Sequence, residues 1–148
     1  MINKEQSDDL LKSETKHEAF KQWLLANGAE FDSDVIYPAV FSNGLIGLAA
    51  KREIAPNKAF IKIPAYCIIS IDRAKNCKEL APIFKNNIKL FSKLHPDYVQ
   101  LTLAVFIMFE KKKGLKSFWH PYLQVMNKAE LLQDWTETQL EQLGDKIL

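Results

Sequence analysis

Few residues in this chain have the type and spacing to do chemistry. The loop Asn43-Gly44-Leu45-Ile46-Gly47-Leu48 is the only glycine-containing loop between two strand-like runs. Without a Cβ, its glycines let a ligand approach the backbone; the same residues also make a plain hairpin turn. Two glycines three apart do not form GxGxxG, and no helix pattern follows to offer its N-terminus to a phosphate. Glu110 closes the apolar run Leu101 to Phe109. It is either a buried carboxylate with altered acidity or one that reaches outward beside Lys111, Lys112 and Lys113. Charged groups are seldom buried without partners, so the outward arrangement is expected.

His17, His95 and His120 stand in unrelated contexts, with neither i,i+4 pairing nor a carboxylate pattern suited to a metal. Each is expected to be exposed or to make a local hydrogen bond. Cys67 lies beside two isoleucines and Cys77 in a polar stretch, without CxxC spacing, so both are expected as reduced thiols. No GxSxG, HExxH or P-loop occurs, and no residue is nominated as catalytic or metal-binding. Lys111 to Lys113 with Lys116 form the strongest charge run, which suits either an acidic partner or a solvated helix end.

The elements that must position these residues follow from periodicity. Residues 1–13 are polar and expected to be a mobile tail. Thr15 with Glu18 has the capping-box pattern, Phe20, Trp23 and Leu24 recur at helical spacing, and Asn27-Gly28 supplies a left-handed stop. Strand-like runs follow at 35–41, 48–50, 59–63 and 67–70, divided by turn residues, which predicts a small, mostly antiparallel sheet system. From Asp72 the period becomes helical, with Asp72 and Asn76 as caps and a helix over 80–91. A second helix has Asp97 and Gln100 as its capping pair, an apolar body expected to be buried among other helices, and Gly114 as its stop. Ser117 to Tyr122 predicts a short helical turn docked through Trp119 and Tyr122, and Thr136 with Gln139 caps a last helix over Leu140 and Leu143 before Gly144. The result is an α+β chain: a tail at 1–13, a helix with short strands at 14–72, and an all-helical part at 73–148.

Composition agrees with one globular domain. Apolar residues make up 47% and charged residues 26% of the 148. The formal charge of +2 is far from the field that a phosphate backbone demands, so nucleic acid is not an expected partner. The longest apolar run is too short to cross a bilayer, and residues 1–16 have neither a signal-peptide h-region nor transit-peptide character. A soluble protein of the cytoplasm or nucleus is the expectation.

In order and spacing these pieces resemble the SET-domain protein methyltransferases of the Rubisco large-subunit lysine methyltransferase and actin-histidine methyltransferase type. Phe20-Lys21-Gln22-Trp23-Leu24 is similar to the opening FxxWL element, and residues 44–54 resemble the GxGLxAxxDI strand-loop-strand. Ala59 to Pro64 looks like the strand that ends in proline; Ile69-Ser70 and Ala74-Lys75-Asn76 resemble the next segment. Phe109-Glu110, Gly114, Ser117-Phe118-Trp119, Pro121-Tyr122 and Trp135 are similar to the E, G, SxWxPY and W of the helical signature.

The resemblance implies that 14–72 is an N-terminal SET portion and 73–148 a helical insert within which the sequence stops, with the C-terminal SET part absent. It implies S-adenosylmethionine as cofactor. Gly44, Ile46 and Gly47 would contact it through their backbone, Ala49 would lie close by, and Lys78, Glu79 and Leu80 would sit near its adenine. The family's Asn-His motif and catalytic tyrosine have no counterpart here; Tyr37, Tyr66, Tyr98 and Tyr122 all belong to the front-half pattern. The resemblance thus implies a fragment of a protein lysine or histidine N-methyltransferase that is not catalytic by itself, with a protein as substrate or partner and association through unpaired strand edges. The alternative is a non-catalytic SET-derived binding or scaffold subunit of a larger assembly.

Overall fold

A computed structural model describes residues 4–42, 45–126 and 134–142, with side chains from residue 13 onward. It is an α+β arrangement: one long helix, two small sheets, then helices. The first helix, α1 (Lys4–Ala26), starts well before the expected cap, so Thr15 lies inside it and does not cap it. Its end is as expected. Gly28 takes φ +80, Gly28 N–H donates to Leu25 O at 3.0 Å, and Ala29 N–H donates to Leu24 O at 2.9 Å. That pair of bonds is a Schellman motif, with Ala29 packed back on Leu24.

The strands form two antiparallel pairs. β1 (Glu30–Phe31), too short to be seen in the periodicity, pairs with β4 (Ile61–Lys62); β2 (Val35–Val40) pairs with β3 (Ile46–Ala50). The β2–β3 ladder is irregular between Ile36 and Ala39, around the cis Tyr37-Pro38 bond. The run 67–70, expected as a strand, is instead entered by a 3₁₀ turn over Ala65–Cys67. Cys67 N–H is taken by Pro64 O and Ile68 N–H by Ala65 O, so this backbone bonds locally.

In the helical part, Ser70 rather than Asp72 caps α2 (Ile71–Lys75): its hydroxyl accepts from Arg73 N–H at 3.3 Å. The helix expected over 80–91 is broken into α3 (Ala81–Asn86) and α4 (Ile88–Phe91) at Asn87, whose amide donates back to Ile83 O at 2.9 Å. Asp97 precedes α5 (Tyr98–Lys113) without a side-chain cap, because its φ −99 and ψ 18 lie outside the extended region a capping side chain needs. Nor is α5 buried all round. Thr102, Phe106 and Glu110, spaced by four, form its buried stripe, while Ala104 and Met108 face outward. Gly114, at φ 57, ends α5, and α6 (His120–Val125) follows. Thr136 and Gln139 form the expected capping box on α7 (Glu137–Glu141); Leu143 and Gly144 lie outside the described residues.

Two apolar clusters hold these elements. The larger joins Ala74, Leu80, Phe84, Phe91, Phe106, Trp119 and Leu123; the smaller joins Leu24, Ala29 and Cys67. Trp23 packs against both. A Cβ on Gly28 would meet nothing nearer than Pro64 at 3.8 Å, so the cost of Gly28→Ala is the left-handed backbone alone. Thermal or urea denaturation of that variant is expected to show a loss of about 1–2 kcal/mol.

Candidate functional site

Of the segment expected as a glycine loop, Ile46 and Gly47 lie instead within β3, because the ladder with β2 runs up to Val40 and Ile46, and Phe41 N–H donates to Leu45 O at 2.8 Å just beyond it. Gly44 lies outside the described residues. Ile46 stands opposite Val40, Gly47 opposite Ala39, and Ala49 opposite Ile36; all three of these β3 residues are half-buried. Gly47 has no left-handed backbone, and an added Cβ would reach only the Phe41 ring at an ordinary 3.5 Å. Neither the turn nor internal packing requires glycine there. The hairpin also exposes Ile36, Val40, Phe41, Leu45 and Leu48, with Leu45 64% exposed.

Lys78, Glu79 and Leu80 occupy the turn between α2 and α3. Lys78 and Glu79 are exposed, whereas Leu80 is buried in the larger core, with its N–H donating to Cys77 O and its carbonyl accepting from Phe84 N–H. The Cys77 thiol donates to Glu79 Oε2 at 3.3 Å. Hydrogen bonding from its own backbone N–H, then from Cys77, holds the Glu79 carboxyl low, while burial pushes the Cys77 thiol up. The main packing partner of β3 is β2 and that of α2 is α5, so the two groups of nominated residues ride on different layers.

A charge cluster, not foreseen in the sequence, anchors the segment after β3. Buried Asp34 accepts from Arg52 Nε at 2.7 Å and from Lys58 Nζ at 3.4 Å; Lys58 also lies 2.9 Å from Asp32. Lys51 N–H donates to Asp34 O at 2.8 Å. The Lys58 hydrogen bond holds Asp32, and the Arg52 hydrogen bond holds Asp34, below the usual carboxylate range.

Glu110 corrects the outward expectation. It is 2% exposed and doubly bonded: the Ser117 hydroxyl donates to Oε2 at 2.6 Å and the Lys113 ammonium to Oε1 at 2.8 Å. Ser117 Oγ in turn accepts from Trp119 N–H at 3.1 Å, and Trp119 Nε1 donates to Cys67 O at 3.1 Å. Every step is bonded, so the group serves as a structural relay between α5, the start of α6 and the 3₁₀ turn. It leaves no carboxylate oxygen aimed at an open site.

Of the histidines, His95 makes the expected local hydrogen bond, whereas half-buried His17 reaches Tyr37 on another element. His17 Nδ1 lies 2.7 Å from the Tyr37 hydroxyl, and His95 Nδ1 accepts from Asp97 N–H at 3.1 Å. Burial lowers His17 and pushes Tyr37 up to about 12, so Tyr37 stays protonated at neutral pH. Both cysteines are free, and no group of three metal-ligating side chains exists among the described residues. An apolar cleft of about 230 Å³, bordered by Phe20, Trp23, Ile63, Cys67, Ile68 and Tyr122, was not foreseen, because its walls come from three distant segments.

The aromatic residues of the FxxWL and SxWxPY segments meet here. Phe20 lies 5.6 Å from Tyr122, and Trp23 lies 5.1 Å from Phe118, between ring centroids. No family model matches the sequence. No solved structure matches it either. Actin-histidine N-methyltransferase of Drosophila melanogaster is 29% identical over 129 residues, which cover 86% of this chain and 21% of that protein. SET domain-containing protein 4 of Homo sapiens and that of Mus musculus are each 28% identical over 109 residues, covering 74% of this chain and 23% of theirs. The chain thus spans about a fifth of the length of these curated relatives.

Two outcomes are expected. Glu110→Ala should lower the unfolding free energy by about 3 kcal/mol and Ser117→Ala by about 1–2 kcal/mol in urea titrations, since each leaves a buried polar partner behind. Acidification should destabilise in two stages. His17 is depressed, so the unfolded state takes up its proton first and stability declines below about pH 6.5; Asp32 and Asp34 are depressed, so their contribution is lost as pH falls below about 4. Melting curves of Asp34→Asn should lack much of the second stage and keep the first.

Proposed function

We propose, from kinship with the SET-domain protein methyltransferases, that this chain forms the N-terminal SET portion and helical insert of an S-adenosylmethionine-dependent N-methyltransferase. Its target is a lysine or histidine side chain of a protein, in the cytoplasm or nucleus. By itself the chain supplies one wall of the donor pocket and does not catalyse transfer.

The hairpin carries this reading. Gly47 is free of any fold requirement for glycine, which suits a backbone that a flat ligand must approach, and the apolar residues around it are left bare. Two-stranded sheets are marginal alone, and both sheets here have only two strands, so each retains edges that another segment can pair. In this reading Ile46 and Gly47 offer backbone groups to the cofactor, Ala49 borders it, and the turn Lys78-Glu79-Leu80 lies near its adenine. Gly44 completes the loop. S-adenosylmethionine brings an electrophilic methyl group on a sulfonium. The protein's task is to align that group with a deprotonated, desolvated nitrogen, an orientation worth about 7–11 kcal/mol of barrier. A single wall open to water forfeits most of it, and with it most of the cofactor affinity.

Titration of S-adenosylmethionine into the isolated chain is expected to give a Kd weaker than about 1 mM, with no transfer of labelled methyl to protein. Micromolar binding by the isolated chain would overturn the one-wall reading. Gly47→Ala should change the stability of the isolated chain by less than about 1 kcal/mol. In a polypeptide extended to the length of the curated relatives, it should weaken donor binding at least roughly tenfold. Should that longer polypeptide fail to bind S-adenosylmethionine at all, the methyltransferase assignment itself falls.

A further inference from the structure

We propose that the corner formed by α3, α4 and the turn into α5 is a docking site for an acidic segment of a partner protein that carries an apolar anchor. A groove of about 480 Å³ opens there between Ile88, Lys89, Ser92, Leu94, His95 and Pro96. Leu94 is 95% exposed and Ile88 66%, with Ile83 and Leu90 also open to solvent. Apolar side chains so bare and so close together are unusual on a finished surface.

The charge around the groove identifies its occupant. Between Ala81 and Asp97 the chain has Lys85, Lys89 and Lys93 against the single carboxylate of Asp97, so this short corner alone carries a net charge equal to the formal +2 of the whole protein, and Lys89 lines the groove itself. All three lysines are exposed, and none forms a salt bridge among the described residues. The complementary ligand therefore brings carboxylates for the rim and a leucine- or aromatic-like side chain for the groove.

The elements behind the groove are held in place by fixed contacts. Phe84 and Phe91 meet edge to face at 5.0 Å, and Lys75 Nζ donates to Phe91 O at 3.0 Å while lying over the Tyr98 ring. The Asp97 N–H held by His95 Nδ1 fixes the imidazole at the groove wall. A lipid surface fits less well, because α4 has only four residues and a concave groove presents no continuous apolar face to insert. Three lysines are also too few for strong phosphate-backbone binding. This inference does not depend on the donor pocket.

The test is a random-peptide display selection on the isolated chain, with two variants as counter-screens: Lys85→Glu/Lys89→Glu/Lys93→Glu, and Leu94→Ser. Circular dichroism and Tm verify that each stays folded, and Lys89→Gln replaces the triple variant if that one does not. Enriched peptides are expected to place aspartate or glutamate around leucine, phenylalanine or tryptophan. Their binding should weaken at least tenfold in either counter-screen variant and decline as salt is raised. The inference is overturned if nothing enriches, if the enriched peptides lack acidic residues, or if they bind the variants as tightly. It is also overturned if phosphatidylserine vesicles recruit the chain with the same variant dependence, which would make the corner a membrane contact.

Discussion

The buried carboxylate of Glu110 is the constraint around which the described helices of the second half are arranged. Taking it out of water is costly, and the structure offsets that cost with one ammonium and one hydroxyl, each at short distance. The hydroxyl belongs to Ser117, whose oxygen also receives the Trp119 backbone N–H; the Trp119 indole then reaches Cys67 O in the 3₁₀ turn. A single line of hydrogen bonds thus fixes the direction in which α6 leaves α5 and the height at which the β-containing part meets the helices. Phe106 seats itself edge-on against Trp119 at 5.3 Å, so apolar packing reinforces the same placement.

The β-containing half is held more lightly. β3 packs mainly on β2, and β2 reaches the rest of the protein through α1. Phe20 and Tyr37 meet edge to face at 6.2 Å, and His17 contacts the Tyr37 hydroxyl. Beyond β3 the Asp34 cluster ties the returning segment to the start of the hairpin. Such charge contacts are weaker where they are exposed, since solvent screens them. The framework is set by the helices, and the hairpin is presented on it.

Much of this was legible locally. The Gly28 and Gly114 stops, the Thr136 capping box and the β2–β3 hairpin each depend on residues a few positions apart, and the α+β class followed from the change of period. Competing contacts account for the failures. Asp97 has the right side chain for a cap but the wrong backbone angles, and Asn87 turned its amide onto its own helix and divided it. Glu110 was placed outward because its key partner lies seven residues on and is recognisable only once α6 has folded back. Among the nominated binding residues, Ala49 lies on a strand as expected, whereas Ile46 and Gly47, expected in the loop, belong to the same strand, and the burial of Leu80 depends on helices that no local pattern could assemble.

Trp23 touches both apolar clusters. Loosening the small cluster under the sheets withdraws one wall of its indole, and loosening the helical cluster withdraws the other. The two halves are therefore coupled through a shared side chain.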